Sequence, residues 1–291
     1  MAAEEEGGEG VGKMIISSPG AIVFDSGFWQ IRWYGVFIAC AILLSYYICS
    51  KWLKAEKFNE SQIDGSFLIV VLFGLIGARA GSVLQLTDYF KDDWLGVFRI
   101  WNGGLSIHGA IIGGILGLAI AQKIYKLAPL EHRQCLSVDH KQPVLTGFNF
   151  LKFADAIAPQ VLLSVAIGRW GNFFNEEIAG RPYNGFLKLF VSLENRLSGY
   201  ANIAYYHPVF LYESVLLLLS YILFLFLRAK FGFKNGFVYT LIAYNLIRFF
   251  VEFWRIDYKP IFWRFDLAQI VSFVFVILGI AIAFILQNKK Y

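Results

Sequence analysis

Residues 267–287 read LAQIVSFVFVILGIAIAFILQ, 21 positions without one charged side chain. A helix rising about 1.5 Å per residue spans the ~30 Å hydrocarbon layer of a bilayer in about 20 residues. Because this helix is apolar all round, it needs lipid or protein, not water, on every face. Working outward, comparable stretches recur at 32–52, 65–85, 104–123, 151–174, 206–228 and 234–254. The expectation is an all-α integral membrane protein with seven transmembrane helices and longer loops forming a head on the outer side.

Composition points the same way. Hydrophobic residues make up 57% of the 291 positions and charged residues 16%, with a mean hydropathy of +0.56. A soluble domain carries about 25% charged residues, so this chain cannot coat itself in a hydrated shell. The net charge of +5 is too small to argue for a nucleic-acid partner. Cys40, Cys49 and Cys135 have neither disulfide nor metal spacing. Residues 1–13, MAAEEEGGEGVGK, are too polar to build a core. They are expected to be a disordered leader, and more specifically an appended one with Met14 as the natural start. Residues 14–291 are expected to form a single seven-span membrane domain.

Lys and Arg set the orientation. With the C-terminal NKKY in the cytoplasm, thirteen flank that side and ten the other. An outside N-terminus and a cytoplasmic C-terminus follow. The two long outer segments, 86–103 and 175–205, exceed the length of simple turns and are therefore expected to be functional.

Charge inside a span costs at least about 2.5–3.5 kcal/mol, so each instance asks for a reason. Tyr34, Arg79, His108, Arg169, Asn172, His207, Glu213, Arg248 and Glu252 all fall in the outer half of the assigned topology, whereas Asp155 falls near the inner face. A conduit would be polar through its depth; this pattern reads as one chamber at one leaflet. Tyr244, Arg248 and Glu252 are each four apart and stack on one helix face, as do Arg169 and Asn172 at a spacing of three. Two arginine forks in a dry pocket match the oxygens of a phosphate, and a phospholipid could bring one while its tails stay in the bilayer. Blander readings stand beside this one. Arg248–Glu252 can be an intrahelical pair, His108 a helix-start histidine on a backbone carbonyl, and Arg79 and Glu213 a mutual pair or caps. The sequence holds no GxSxG, HExxH or P-loop. An enzyme built this way takes its nucleophile from a second substrate.

The block Gly168-Arg169-Trp170-Gly171-Asn172-Phe173-Phe174-Asn175-Glu176-Glu177-Ile178-Ala179-Gly180 resembles the signature of the bacterial phosphatidylglycerol–prolipoprotein diacylglyceryl transferases. The resemblance spans about residues 26–285. It includes Arg32–Gly35, Trp101–Gly109, His207–Glu213 and Arg248–Glu252, five ordered blocks in all. It implies a seven-span enzyme of the bacterial cytoplasmic membrane without metal or organic cofactor. Its partners would be phosphatidylglycerol and the signal peptide of a preprolipoprotein, whose lipobox cysteine supplies the thiol. The resemblance implies phosphate binding by Arg169 with help from Arg248, and essential positions at Tyr34, Asn172 and Gly180. It ties His108, Glu177 and Glu252 to activity, with His108 as the base. Tyr244 joins the binding set through its helix face. The chain departs from the family pattern at Ser82, Leu86, Asn102, Ala110 and Val209–Phe210. The rival functions are an outer-leaflet lipid or small-anion transporter, and an intramembrane protease pairing His108 with Ser106 or Ser164.

Overall fold

The computed structural model describes residues 13–27, 30–85, 87, 91, 94–98, 106–127, 148–177, 179–256, 261 and 263–288. The expected leader, apart from Lys13, and Cys135 lie outside them. Seven long α-helices stand among the described residues: α1 (Trp33–Ala55), α2 (Glu60–Gln85), α3 (Ile107–Leu127), α4 (Phe150–Phe174), α5 (Val209–Phe231), α6 (Gly236–Val251) and α7 (Leu267–Asn288). Six are long and apolar enough to cross a membrane, whereas the apolar part of α3 is shorter, Gly109–Tyr125. The chain is a mostly helical, multi-pass membrane protein. Its apolar side chains face outward along these helices, as at Leu43, Leu68, Leu219 and Phe284, each more than half exposed. That arrangement is stable only where lipid replaces water.

Helix ends follow local chemistry. Asn59 and Gln62 exchange side-chain-to-backbone bonds of 2.7 and 3.2 Å at the start of α2, and Asp266 and Gln269 do the same for α7. Each reciprocal pair satisfies two backbone donors. α5 ends at Gly232, φ 63°, whose N–H reaches Arg228 O. Glycine takes that left-handed turn without a Cβ penalty.

The chain divides into two compact units, residues 43–160 and residues 1–42 with 161–291. In the first, α2 and α3 meet along glycines. A Cβ on Gly109 would stand 2.1 Å from Gly77 O, and one on Gly113 2.1 Å from Phe73 O. Only bare glycine allows backbones this close. The N–H of Ser106 also donates to Ala78 O at 2.9 Å, fixing the start of α3 against α2.

In the second unit, β1 (Met14–Ile16) pairs in parallel with β4 (Leu187–Phe190), which pairs antiparallel with β5 (Tyr205–Tyr206). A hairpin of β2 (Ile22–Asp25) and β3 (Gln30–Arg32) precedes α1. The three-stranded sheet shares a core with the ends of α4 and α5, made by Phe173, Leu189, Val191, Tyr206 and Phe210. Segment 175–205 is therefore a folded cap rather than a simple loop. Of segment 86–103, Trp94–Phe98 form a 3-10 turn.

Candidate active site

The site residues of the second unit converge at one end of α4, α5 and α6. Arg169, late in α4, points a terminal guanidinium nitrogen at Glu213 Oε1, 2.5 Å away on α5. The two side chains are 12% and 1% exposed, so this is a buried pair. The other terminal nitrogen donates to Asn172 Oδ1 at 3.3 Å, and the Asn172 amide donates to Glu177 Oε2 at 3.2 Å. The N–H of Glu177 in turn donates to Asn172 O at 2.8 Å. Arg169, Asn172 and Glu177 thus form one chain of polar contacts, as the signature block places them.

Gly171 explains how Tyr34 enters. A Cβ there would stand 2.6 Å from Tyr34 Cδ2, so the first turn of α1 packs directly on α4. The neighbouring Trp33 ring stacks on Phe174 with centroids 4.7 Å apart. Tyr34 lies within electrostatic reach of Glu177 and Arg169.

Arg248, late in α6, and Glu252, which opens the 3-10 turn after it, stand 2.7 Å apart one turn from each other, and Arg255 reaches the same carboxylate at 3.6 Å. The Arg248–Glu252 approach is an ion contact, and Glu252 Oε2 has no hydrogen-bond partner among the described residues. Tyr244, buried on the same face, lies in the field of Glu213, Arg169, Arg248 and Arg255 together. Both arginine groups therefore lie within electrostatic reach of one phenol.

Two buried donors stand out: Arg169 Nε and Arg248 Nη1 have no hydrogen-bond partner among the described residues, nor does the acceptor Glu213 Oε2. Buried N–H groups are nearly always paired. Two orphaned guanidinium donors around one tyrosine are ready to receive an anion's oxygens.

Gly180 closes the site's edge. Its N–H donates to His207 O at 3.0 Å, and its own strand bridge runs to Arg255. A Cβ on it would stand 2.5 Å from His207 Cβ and 2.7 Å from His207 O. The His207 ring stacks on Tyr183 at 3.8 Å, and its Nδ1 lies 3.3 Å from Tyr212 Oη. Burial pushes its pKa below the ordinary histidine value. Glu176, at φ 53°, accepts bonds from Ser192 and Asn195. Burial raises its pKa, but those donors outweigh it and hold the carboxyl below its ordinary value.

His108 occupies the first turn of α3 in the other unit, and its side chain lies outside the described residues. Arg79 Nε donates to Val97 O at 2.7 Å, so it caps the 3-10 turn, while Glu213 takes Arg169. Sequence reading gave Glu213 and Arg255 no site role. The 44-residue separation from Arg169 hid the first. The i,i+3 spacing from Glu252 was a usable signal for the second.

The fold is that of a multi-pass membrane protein, and its second unit gathers a buried, arginine-centred polar cluster at one end of α4, α5 and α6. A family model described as prolipoprotein diacylglyceryl transferase matches residues 21–285. The chain is 33% identical over 272 residues to a phosphatidylglycerol–prolipoprotein diacylglyceryl transferase of Synechocystis sp., covering 91% of this chain and 88% of that one. It is 32% identical to the Staphylococcus epidermidis protein of the same name, with 93% and 90% covered. A Parasynechococcus marenigrum relative, also of that name, is 36% identical over 84% of this chain and 82% of its own. The chain belongs to the prolipoprotein diacylglyceryl transferase family.

Proposed function

We propose that this chain moves the diacylglyceryl group of phosphatidylglycerol onto the lipobox cysteine thiol of a preprolipoprotein, the first step of bacterial lipoprotein maturation. Residues 14–291 act as one seven-span domain in the cytoplasmic membrane, with the N-terminus outside, the C-terminus inside and the site at the outer leaflet. The pair of orphaned donors, Arg169 Nε and Arg248 Nη1, carries this reading.

Phosphatidylglycerol enters from the leaflet and lays its phosphate between the two arginines. Glu213 and Glu252 hold those forks in orientation. Tyr34, Asn172 and Tyr244 meet headgroup oxygens, and Glu177 and Gly180 shape the entry of the peptide. The thiol, with a reference pKa of about 8.5, is mostly protonated at pH 7. His108 takes its proton, and the thiolate attacks the glyceryl carbon bonded to the phosphate ester oxygen. The C–S bond forms as the C–O bond breaks, and glycerol phosphate leaves with its charge on the arginines.

The donor side gives the test. With headgroup-labelled phosphatidylglycerol and a lipobox peptide, the protein should release labelled glycerol phosphate mole for mole with lipidated peptide. Release that continues without the peptide would make the protein a lipase and reject the transfer.

A further inference from the structure

The turn between α6 and α7 has no part in the site just described. The N–H of Ile261 donates to Phe265 O at 2.9 Å, and Trp263 at the apex has φ 55°. A bulky aromatic residue in the left-handed region is an outlier, because its Cβ crowds the backbone. Such strain persists where the surroundings over-determine it. Here the base of the turn is held three ways. Phe265 packs on Phe249 with centroids 5.6 Å apart. Asp266 and Gln269 cap each other's backbone. The Gln269 amide donates to Phe249 O at 3.1 Å.

This rigid base does not bury the strained residue. Trp263 is 89% exposed and Ile261 70%. The turn joins two helices long and apolar enough to cross a membrane, Gly236–Trp254 and Leu267–Asn288, which places it at a bilayer surface. Tryptophan is most stable at headgroup level, with its ring among upper acyl chains and its N–H in the wet layer. Arg264, next to Trp263 in the same turn, is exposed. The nearby Asp266 is committed to capping α7. Basic residues at such a surface draw anionic lipid.

We propose that the turn carrying Ile261, Trp263 and Arg264 is a docking point for anionic phospholipid. Trp263 and Ile261 seat in the interfacial layer, and Arg264 meets a headgroup phosphate. The turn gathers donor lipid beside the end of α6 that carries Arg248, Glu252 and Arg255. The donor half of this inference rests on the phosphatidylglycerol reading above.

The test reads lipid contact without catalysis. The probe is a bimane on Trp263→Cys, in a chain with Cys40, Cys49 and Cys135 replaced by alanine, in nanodiscs. Headgroup-level nitroxide on phosphatidylglycerol should quench it more than the same label on phosphatidylcholine, and Arg264→Gln should erase that difference. Quenching by aqueous iodide alone would overturn interfacial seating, and equal quenching by the two lipids would overturn the anionic preference. In turnover, Trp263→Gly removes the strain with the side chain. It should raise the apparent KM for phosphatidylglycerol severalfold at unchanged kcat and undiminished thermal stability. An unchanged KM would overturn donor recruitment. Absence of transfer in every form, with the quenching pattern intact, would instead count against the transferase reading.

Discussion

Arg169 answers two demands at once, since one side of its guanidinium is tied to Glu213 and its buried Nε has no partner among the described residues. Arg169→Lys supplies one point charge where the fork supplies several fixed donors. It should therefore keep the fold and lose activity by about 10²-fold, the typical cost of one transition-state donor. Arg169→Ala leaves the Glu213 carboxylate buried without a counter-ion, a defect of about 3–5 kcal/mol. The double variant Arg169→Ala/Glu213→Gln separates the effects: melting temperature should recover while transfer does not. Wild-type kcat in the lysine variant would show the fork is not needed. The His108 proposal is read by pH. His108→Gln should slow transfer by about 10²–10⁴-fold, the usual worth of a general base, at unchanged phosphatidylglycerol affinity. Alkaline pH should restore part of the rate by forming thiolate directly. A wild-type rate at neutral pH would end the general-base role.

At the level of elements, the α2–α3 seam depends on hydrogen atoms where other residues carry a Cβ. Gly109→Ala would ordinarily favour a helix by about 1 kcal/mol. Here the new methyl meets Gly77 O at 2.1 Å, and backbone atoms cannot step aside. The sign should reverse, with a loss of about 1–3 kcal/mol in a denaturant titration of the detergent-solubilised protein. Activity should fall with it, because His108 sits one residue before the seam. An undiminished stability would show that the seam opens freely. The helices themselves were legible, because unbroken apolar runs such as 267–287 admit few alternatives. The 3-10 turn Glu252–Trp254 and the left-handed Trp263 were not, since tertiary contacts rather than local preference hold them. The same holds in the site. Arg248 and Glu252 announce themselves by helical spacing, whereas the Arg169–Glu213 pair exists only once α4 and α5 are packed.

Across the whole molecule, Arg79 and Asp155 belong to the first unit, while four of the charged groups that would be costly in lipid, Arg169, Glu213, Arg248 and Glu252, are gathered in the second unit at one end of α4, α5 and α6. Charged side chains there hold one another, and the two unfilled arginine donors are what remains for a ligand. On the proposed reading, this remainder receives a phospholipid phosphate so that a cysteine thiol can displace it. Mass spectrometry of a lipobox peptide, incubated with the purified protein and phosphatidylglycerol, tests that claim most directly. The expected result is a gain of one diacylglyceryl group, located on the cysteine and stable to neutral hydroxylamine, which cleaves thioesters. An unmodified peptide, or the same gain on a Cys→Ser peptide, would contradict it.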